Sequence, residues 1–205
     1  MTSRGMDSHL VDVQGVKAAA KMIEPCARLL ARMGAGFGIM AILGNHAIEC
    51  DTTHIIEVLE HSSISVLRNR SVAFERDGKR LWFCGVDDFL RGKPRLELAL
   101  KDIPAEEPVM LLAHEPDPAD YVANYPVDLQ LSSHPHGGQI RIPLIGVPYL
   151  PPLARKYPRG LRQIGRLTLY TNVGIGTVDV PIRLGCPPEV TLITLRKGQR
   201  LSRLN

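Results

Sequence analysis

The sequence predicts an α/β sandwich of two sheets with helices outside them, and three observations predict it. Short apolar runs of strand length end in polar, ligand-type residues, a hairpin signal stands mid-chain, and one long segment carries apolar residues at helical spacing. In chain order, residues 16–33 show the helical spacing with Ala-rich filling, and Pro25 is expected to kink or split that helix. Gly34-Ala35-Gly36-Phe37-Gly38 ends it; a dinucleotide-binding loop would have to follow a strand and open a helix, the reverse of the order here. Residues 41–43 finish an apolar run that opens into Gly44-Asn45-His46. Asp51 is placed to cap a helix through Ile55, Val58 and Leu59. Residues 71–75 and 80–84 flank Asp77-Gly78, a dipeptide of type I′ hairpins. A short helix is expected over 96–100, a strand over 109–113 before His114-Glu115-Pro116, another helix within 116–124, and a strand over 127–131. From Thr168 onward the chain reads as strands, the last over 190–195.

With 205 residues, 44% hydrophobic and 22% charged, the chain is long enough for one sizeable core, and residues 1–205 are expected to form a single domain. No apolar run approaches the roughly 20 residues that span a bilayer, and the polar first residues do not resemble a signal peptide. A cytoplasmic or membrane-peripheral location follows as the expectation. Cys26, Cys50, Cys84 and Cys186 are scattered and read as reduced, small apolar residues. The net charge of +4 is modest. Arg155, Lys156, Arg159, Arg162 and Arg166 gather among prolines and glycine; they could meet an anionic lipid headgroup or nucleic acid, although a solvated loop face is the reading favoured, and nucleic acid is not the expected partner.

Chemistry concentrates in Ser133-His134-Pro135-His136-Gly137-Gly138-Gln139. Residues i and i+2 leaving a strand point the same way, so both imidazoles could face one cavity. Gly137 and Gly138 can take positive φ and bring backbone close to a ligand. Alone, a surface turn that happens to hold two histidines explains this stretch equally well. Three strand-like runs, however, finish in histidine, and in open α/β sheets ligands bind beyond the carboxyl ends of the strands.

Gly44-Asn45-His46, Ala113-His114-Glu115-Pro116 and His134-Pro135-His136-Gly137-Gly138-Gln139, in that order, resemble the later motifs of the calcineurin-like metallophosphoesterases, and more narrowly their bacterial YkuE/YaeI-type subgroup. Gly85-Val86-Asp87-Asp88, Gly174-Ile175-Gly176-Thr177 and the tail from Pro181 to Glu189 extend the likeness, which runs from about Leu10 onward. The resemblance implies a four-layer αββα sandwich and phosphoester hydrolysis by a metal-activated hydroxide attacking phosphorus. Two divalent ions of the Mn, Fe or Zn kind belong to the family. Carried onto this chain, Asn45, His114 and His134 would be ligands of one metal and His136 of the other. His46 would act catalytically beside the substrate phosphate, which Asn45 and His46 would bind. A small-molecule or lipid-linked phosphoester is the implied substrate, with contact to a membrane surface a corollary of the lipid-linked case.

The departures matter as much. The family opens with a strand ending in Asp-x-His, then a Gly-Asp whose carboxylate bridges the metals; the chain reads as lacking both motifs near its start, and the best register lays Ser8-His9 over Gly-Asp. Asp7 and Asp12 are the nearby carboxylates, Ala47 stands where the family is acidic, and Ser133 and Pro135 replace a Gly and a Thr. The expectation is therefore a domain without its first βα element, with one nearly complete metal site. The alternative to an enzyme is an inactive relative serving as a metal- or phosphate-binding module.

Overall fold

The computed structural model describes residues 9–13 and 16–196, residues 9–21 by their backbone alone. Among these, nine strands form two sheets. The first is parallel, in the order β1 (His9–Val13), β2 (Ile39–Leu43), β3 (Ile64–Val66). The second holds β4 (Arg70–Arg76), β5 (Lys79–Gly85), β6 (Val109–Leu112), β7 (Leu129–Ser132), β8 (Gly160–Ile164) and β9 (Leu167–Thr171), in the order β4-β5-β6-β7-β9-β8. Its four inner strands run parallel, and β4 and β8 pair antiparallel at the edges.

Strand alternation builds the layers. In β2, Ile39, Ala41 and Leu43 pack with Ile23 and Ala27 of α1 (Val16–Ala31) and Ile55 and Leu59 of α3 (Thr52–His61). Met40 and Ile42 point the other way and meet Phe83, Met110 and Leu112 of the second sheet. Val109 and Leu111 of β6 turn outward onto Leu96 and Ala99 of α4 (Leu96–Leu100) and Ala119 and Val122 of α5 (Ala119–Val122). Helix, sheet, sheet, helix is thus the order of layers, the αββα arrangement expected.

Asp77 and Gly78 both take positive φ, 53° and 68°, and close the β4–β5 hairpin as a type I′ turn does. Asp51 caps α3 by accepting the His54 N–H at 3.1 Å. Asp51→Ala is expected to lower stability by about 1 kcal/mol, read from urea unfolding, with α3 frayed at its start.

Four expectations need correction. Pro25 does not split α1, because Ile23 and Ala27 hold the helix on the first sheet across the hydrogen bond that proline cannot make. The Arg155–Arg166 stretch is not all loop, since Gly160–Ile164 forms the edge strand β8. Residues 190–195 are not a strand: a β-prone composition makes a strand only where an edge offers backbone partners, and the segment 173–189 is tied down otherwise. Arg183 donates to the carbonyls of Val173 and Gly176, and Glu189 N–H to that of Gly174. Finally, His9 opens β1 level with Ile39, whereas Val13 is level with Leu43. His9 therefore lies at the far end of the strand from Gly44, which argues against its standing in for the bridging carboxylate. Contrary to the sequence reading, Asp7-Ser8-His9 spells Asp-x-His, but His9 is the first residue of β1, so the triplet does not end that strand. Asp7 and Ser8 lie outside the described residues, and Asp12 stands level with Ile42, near the carboxyl end of β1.

Candidate metal centre

Strands β2, β6 and β7 end at one rim of the sandwich. Gly44 leaves β2, and Asn45 is the first residue of α2 (Asn45–Ile48). A Cβ on Gly44 would fall 2.6 Å from His114 Cε1, so the glycine makes the room in which that ring lies. His114 is buried, and its Nε2 lies 3.1 Å from Asn45 Oδ1 and 3.1 Å from His134 Nδ1. One ring nitrogen carries at most one hydrogen, so it can satisfy only one of these two neighbours by donation. The two rings are 4.8 Å apart between centroids and tilted by 59°.

His134 shows which way its lone pair points. Its Nε2 is 3.1 Å from the Pro152 carbonyl oxygen, which can only accept, so Nε2 carries the hydrogen and Nδ1 of the neutral ring presents a lone pair toward His114 Nε2. A metal-ligating histidine is commonly held this way, its second nitrogen donating to a backbone carbonyl. The backbone N–H groups of Ser133 and His134 both donate to the His114 carbonyl at 3.1 Å, locking the two histidine loops together despite Ser133 and Pro135.

His136 is buried on the same loop, in a 3-10 turn (His136–Gly138) where its φ is +49°. The strand rule for i and i+2 does not reach it, because β7 has already ended at Ser132. Among the described residues the one cluster of three histidine or acidic ligand atoms is His114, Glu115 and His134, each within 4.8 Å of the others; His136 is not in it. Gly137 and Gly138 have φ of 63° and 85°, the positive values expected of them.

Glu115 is the less suitable member of that cluster. Its Oε2 accepts the Phe89 N–H at 3.0 Å, and it shares a hydrogen bond with Asp88; burial first, then Asp88, pushes its pKa up to about 8. At neutral pH it holds a proton and braces the loop that carries His114. Asp88 accepts the Leu90 N–H at 3.0 Å and that of Arg91, and Asp87 accepts the Lys93 N–H and Arg68 Nη2, so both serve as turn caps. The polar face of β7 is likewise internal: Gln130 is fully buried and donates to Ser132 Oγ at 3.0 Å.

His46 is half-buried in α2, with Nδ1 3.9 Å from the Glu49 carboxylate. Burial holds its pKa below the ordinary imidazole value, while Glu49 pulls the other way. Cys50 follows α2, and His54 and His61 belong to α3.

Two contributors were not legible in the sequence. Pro152 acts through its carbonyl, which has no sequence signature, and Gly44 acts through what it lacks. Gly44→Ala is expected to push the His114 ring from its place and weaken divalent-cation affinity by about 10- to 100-fold, measured by calorimetric titration. Two imidazole nitrogens and an amide oxygen suit Mn, Fe or Zn, so the donor set fits one cation of the kind expected.

No protein-family profile matches the chain. The metallophosphoesterase YkuE of Bacillus subtilis is 35% identical over 170 residues, 82% of this chain and 59% of the relative. The chain belongs to the calcineurin-like metallophosphoesterases. The phosphodiesterase YaeI of Escherichia coli is 35% identical to this metallophosphoesterase chain over 161 residues, 76% of the chain and 57% of YaeI. The chain thus spans little more than half the length of either relative. A 5′-nucleotidase of Staphylococcus aureus, solved with alpha-ketoglutarate, shares the fold over 80% of this chain and 39% of its own, at a TM-score of 0.54 and 10% identity. Among the described residues, no helix of the metallophosphoesterase is long and apolar enough to cross a membrane.

Proposed function

We propose that this metallophosphoesterase chain, residues 1–205 taken as one domain, hydrolyses phosphodiesters with one divalent cation held by Asn45, His114 and His134. The observation that carries the reading is the orientation of His134, whose Nε2 rests on the Pro152 carbonyl while Nδ1 turns to His114 Nε2, itself 3.1 Å from Asn45 Oδ1. A cation bound there supplies Lewis acidity toward a phosphoryl oxygen. Asn45 and His46 stand side by side at the start of α2, where they would bind the substrate phosphate. Nδ1 of His46 faces the Glu49 carboxylate, and in its imidazolium form the ring would give its Nε2 proton to the leaving oxygen. His136, buried on the same loop, would serve a second cation in the family manner. The relatives named metallophosphoesterase and phosphodiesterase support the reaction class. Small and lipid-linked phosphodiesters are both in keeping with it.

The test is hydrolysis of bis(para-nitrophenyl) phosphate by protein stripped of metal and reloaded with Mn, Fe or Zn. Turnover that returns with cation and vanishes with chelator is expected; no turnover with any of the three would sink the hydrolase reading. One observation favours a second reading, a metal- or phosphate-binding module. The described residues supply a single converging donor set, with the carboxylate of that set already committed to Phe89 and Asp88. A module would bind one cation per chain by elemental analysis and show no turnover.

A further inference from the structure

We propose that residues 142–153 form a membrane-docking loop that seats the histidine site against the anionic headgroups of a lipid bilayer. Residues 129–178 contain Arg141, Arg155, Lys156, Arg159, Arg162 and Arg166 and not one Asp or Glu, in a chain whose net charge is only +4. Within that stretch, residues 142–154 carry no charge at all. The sequence pattern is an apolar centre with cations on its flanks.

The loop is pinned to the candidate site at its middle and at its end. At its middle, Val147 packs so closely on Gly138 that a Cβ there would clash with Val147 Cγ1. At its end, Pro152 gives its carbonyl to His134. Ahead of Val147, the Ile142 N–H donates to the Gly146 carbonyl and the Gly146 N–H to that of Ile142, both at 2.8 Å, closing a tight turn with Leu144 at a φ of +68°. The apex is held outward: Leu144 is 109% exposed, Ile145 75% and Tyr149 70%. Three residues past Pro152, the Asp117 carboxylate accepts the backbone N–H groups of Arg155, Lys156 and Tyr157, so the first cations stay beside the loop that follows His114. Lys156 is paired with Asp120, whereas the side chains of Arg155, Arg159, Arg162 and Arg166 face solvent.

The occupant follows from combining those features. Leu144 and Ile145 fit the acyl boundary, Tyr149 has an apolar body and a polar tip suited to the headgroup level, and the arginines match anionic headgroups. A polynucleotide would satisfy the cations and leave the apex exposed to water. A second copy of the chain, meeting this face symmetrically, would set its cations against their own images. Docking is argued without reference to catalysis; only its corollary, that a lipid-linked phosphodiester is presented at the site, rests on the hydrolase reading.

The experiment is co-sedimentation of the whole chain with vesicles of phosphatidylcholine, alone or with about a third phosphatidylglycerol, at low salt and without substrate. Binding to the anionic vesicles and not to the neutral ones is expected. Leu144→Ser with Ile145→Ser should weaken it at least about tenfold, and Arg155→Gln and Arg159→Gln about fivefold each. All four side chains are exposed, so the variants should unfold at the parent's temperature. Absence of sedimentation with anionic vesicles would overturn the proposal. So would a double serine variant that binds like the parent, in particular one that also retains salt-sensitive binding to a single-stranded oligonucleotide, or loss of a dimer in that variant with vesicle binding unchanged. Because no substrate is present, failure here leaves the hydrolase reading untouched.

Discussion

His134→Ala is expected to lower divalent-cation affinity by more than about a hundredfold, beyond the 10- to 100-fold that loss of a merely supporting partner costs, and to remove phosphodiester turnover. His134 is the joint of the centre: Nδ1 is 3.1 Å from His114 Nε2, and Nε2 is held by Pro152. Alanine removes a donor and frees the Pro152 carbonyl together. The decisive measurement separates this from unfolding. In chelator, the variant should still unfold cooperatively, since the site lies at the rim and not within the three apolar layers. With cation at a hundredfold excess over its dissociation constant, the parent should gain about 2.7 kcal/mol and the variant far less. Equal stabilisation of both proteins by cation would show that His134 is not a ligand.

Glu115→Ala is expected to cost about 3 kcal/mol of stability in cation-free protein, and Glu115→Gln about 1 kcal/mol. Glu115 is fully buried and Asp88 nearly so. Their outer oxygens already accept the backbone N–H groups of Phe89, Leu90 and Arg91, and the facing pair, Glu115 Oε1 and Asp88 Oδ2, has no other donor. A proton kept by Glu115 joins them. Alanine strands the Asp88 oxygen and the Phe89 N–H; glutamine keeps the size and supplies an N–H instead. The sign of the pH dependence is set by the upward shift from 4.5 to about 8. A carboxyl whose folded pKa is raised contributes fully below its unfolded value, and that contribution is lost as pH rises toward the folded one. Parent stability should therefore carry a downward component between pH 4.5 and about 8 that is absent from Glu115→Gln, measured by urea unfolding. A pH profile shared by the two proteins would argue against the shared proton.

Much of the fold was legible because its signals are local. The period-2 alternation of residues 39–43 and 109–112 sorts side chains to two sides, and sheets with two apolar sides must be covered on both. Asp77-Gly78 and the Asp51 cap act within a few residues of themselves. The tail shows the limit of the same reasoning. Residues 190–195 have the β-branched and apolar composition of a strand, yet composition says nothing about whether an edge is open to receive it, and here Val190 and Leu192 remain exposed.

By itself the sequence determined which residue types end the strands, and therefore that Asn45, His114, His134 and His136 were the candidates. Only the tertiary structure decided which of them meet. Asn45 and His114 are 69 residues apart, His134 and Pro152 are 18 apart, and Gly44 is matched to a ring on the opposite sheet. Those contacts depend on how two sheets stack and how one loop folds back, which is set by the packing of the whole apolar interior and by no single segment of chain.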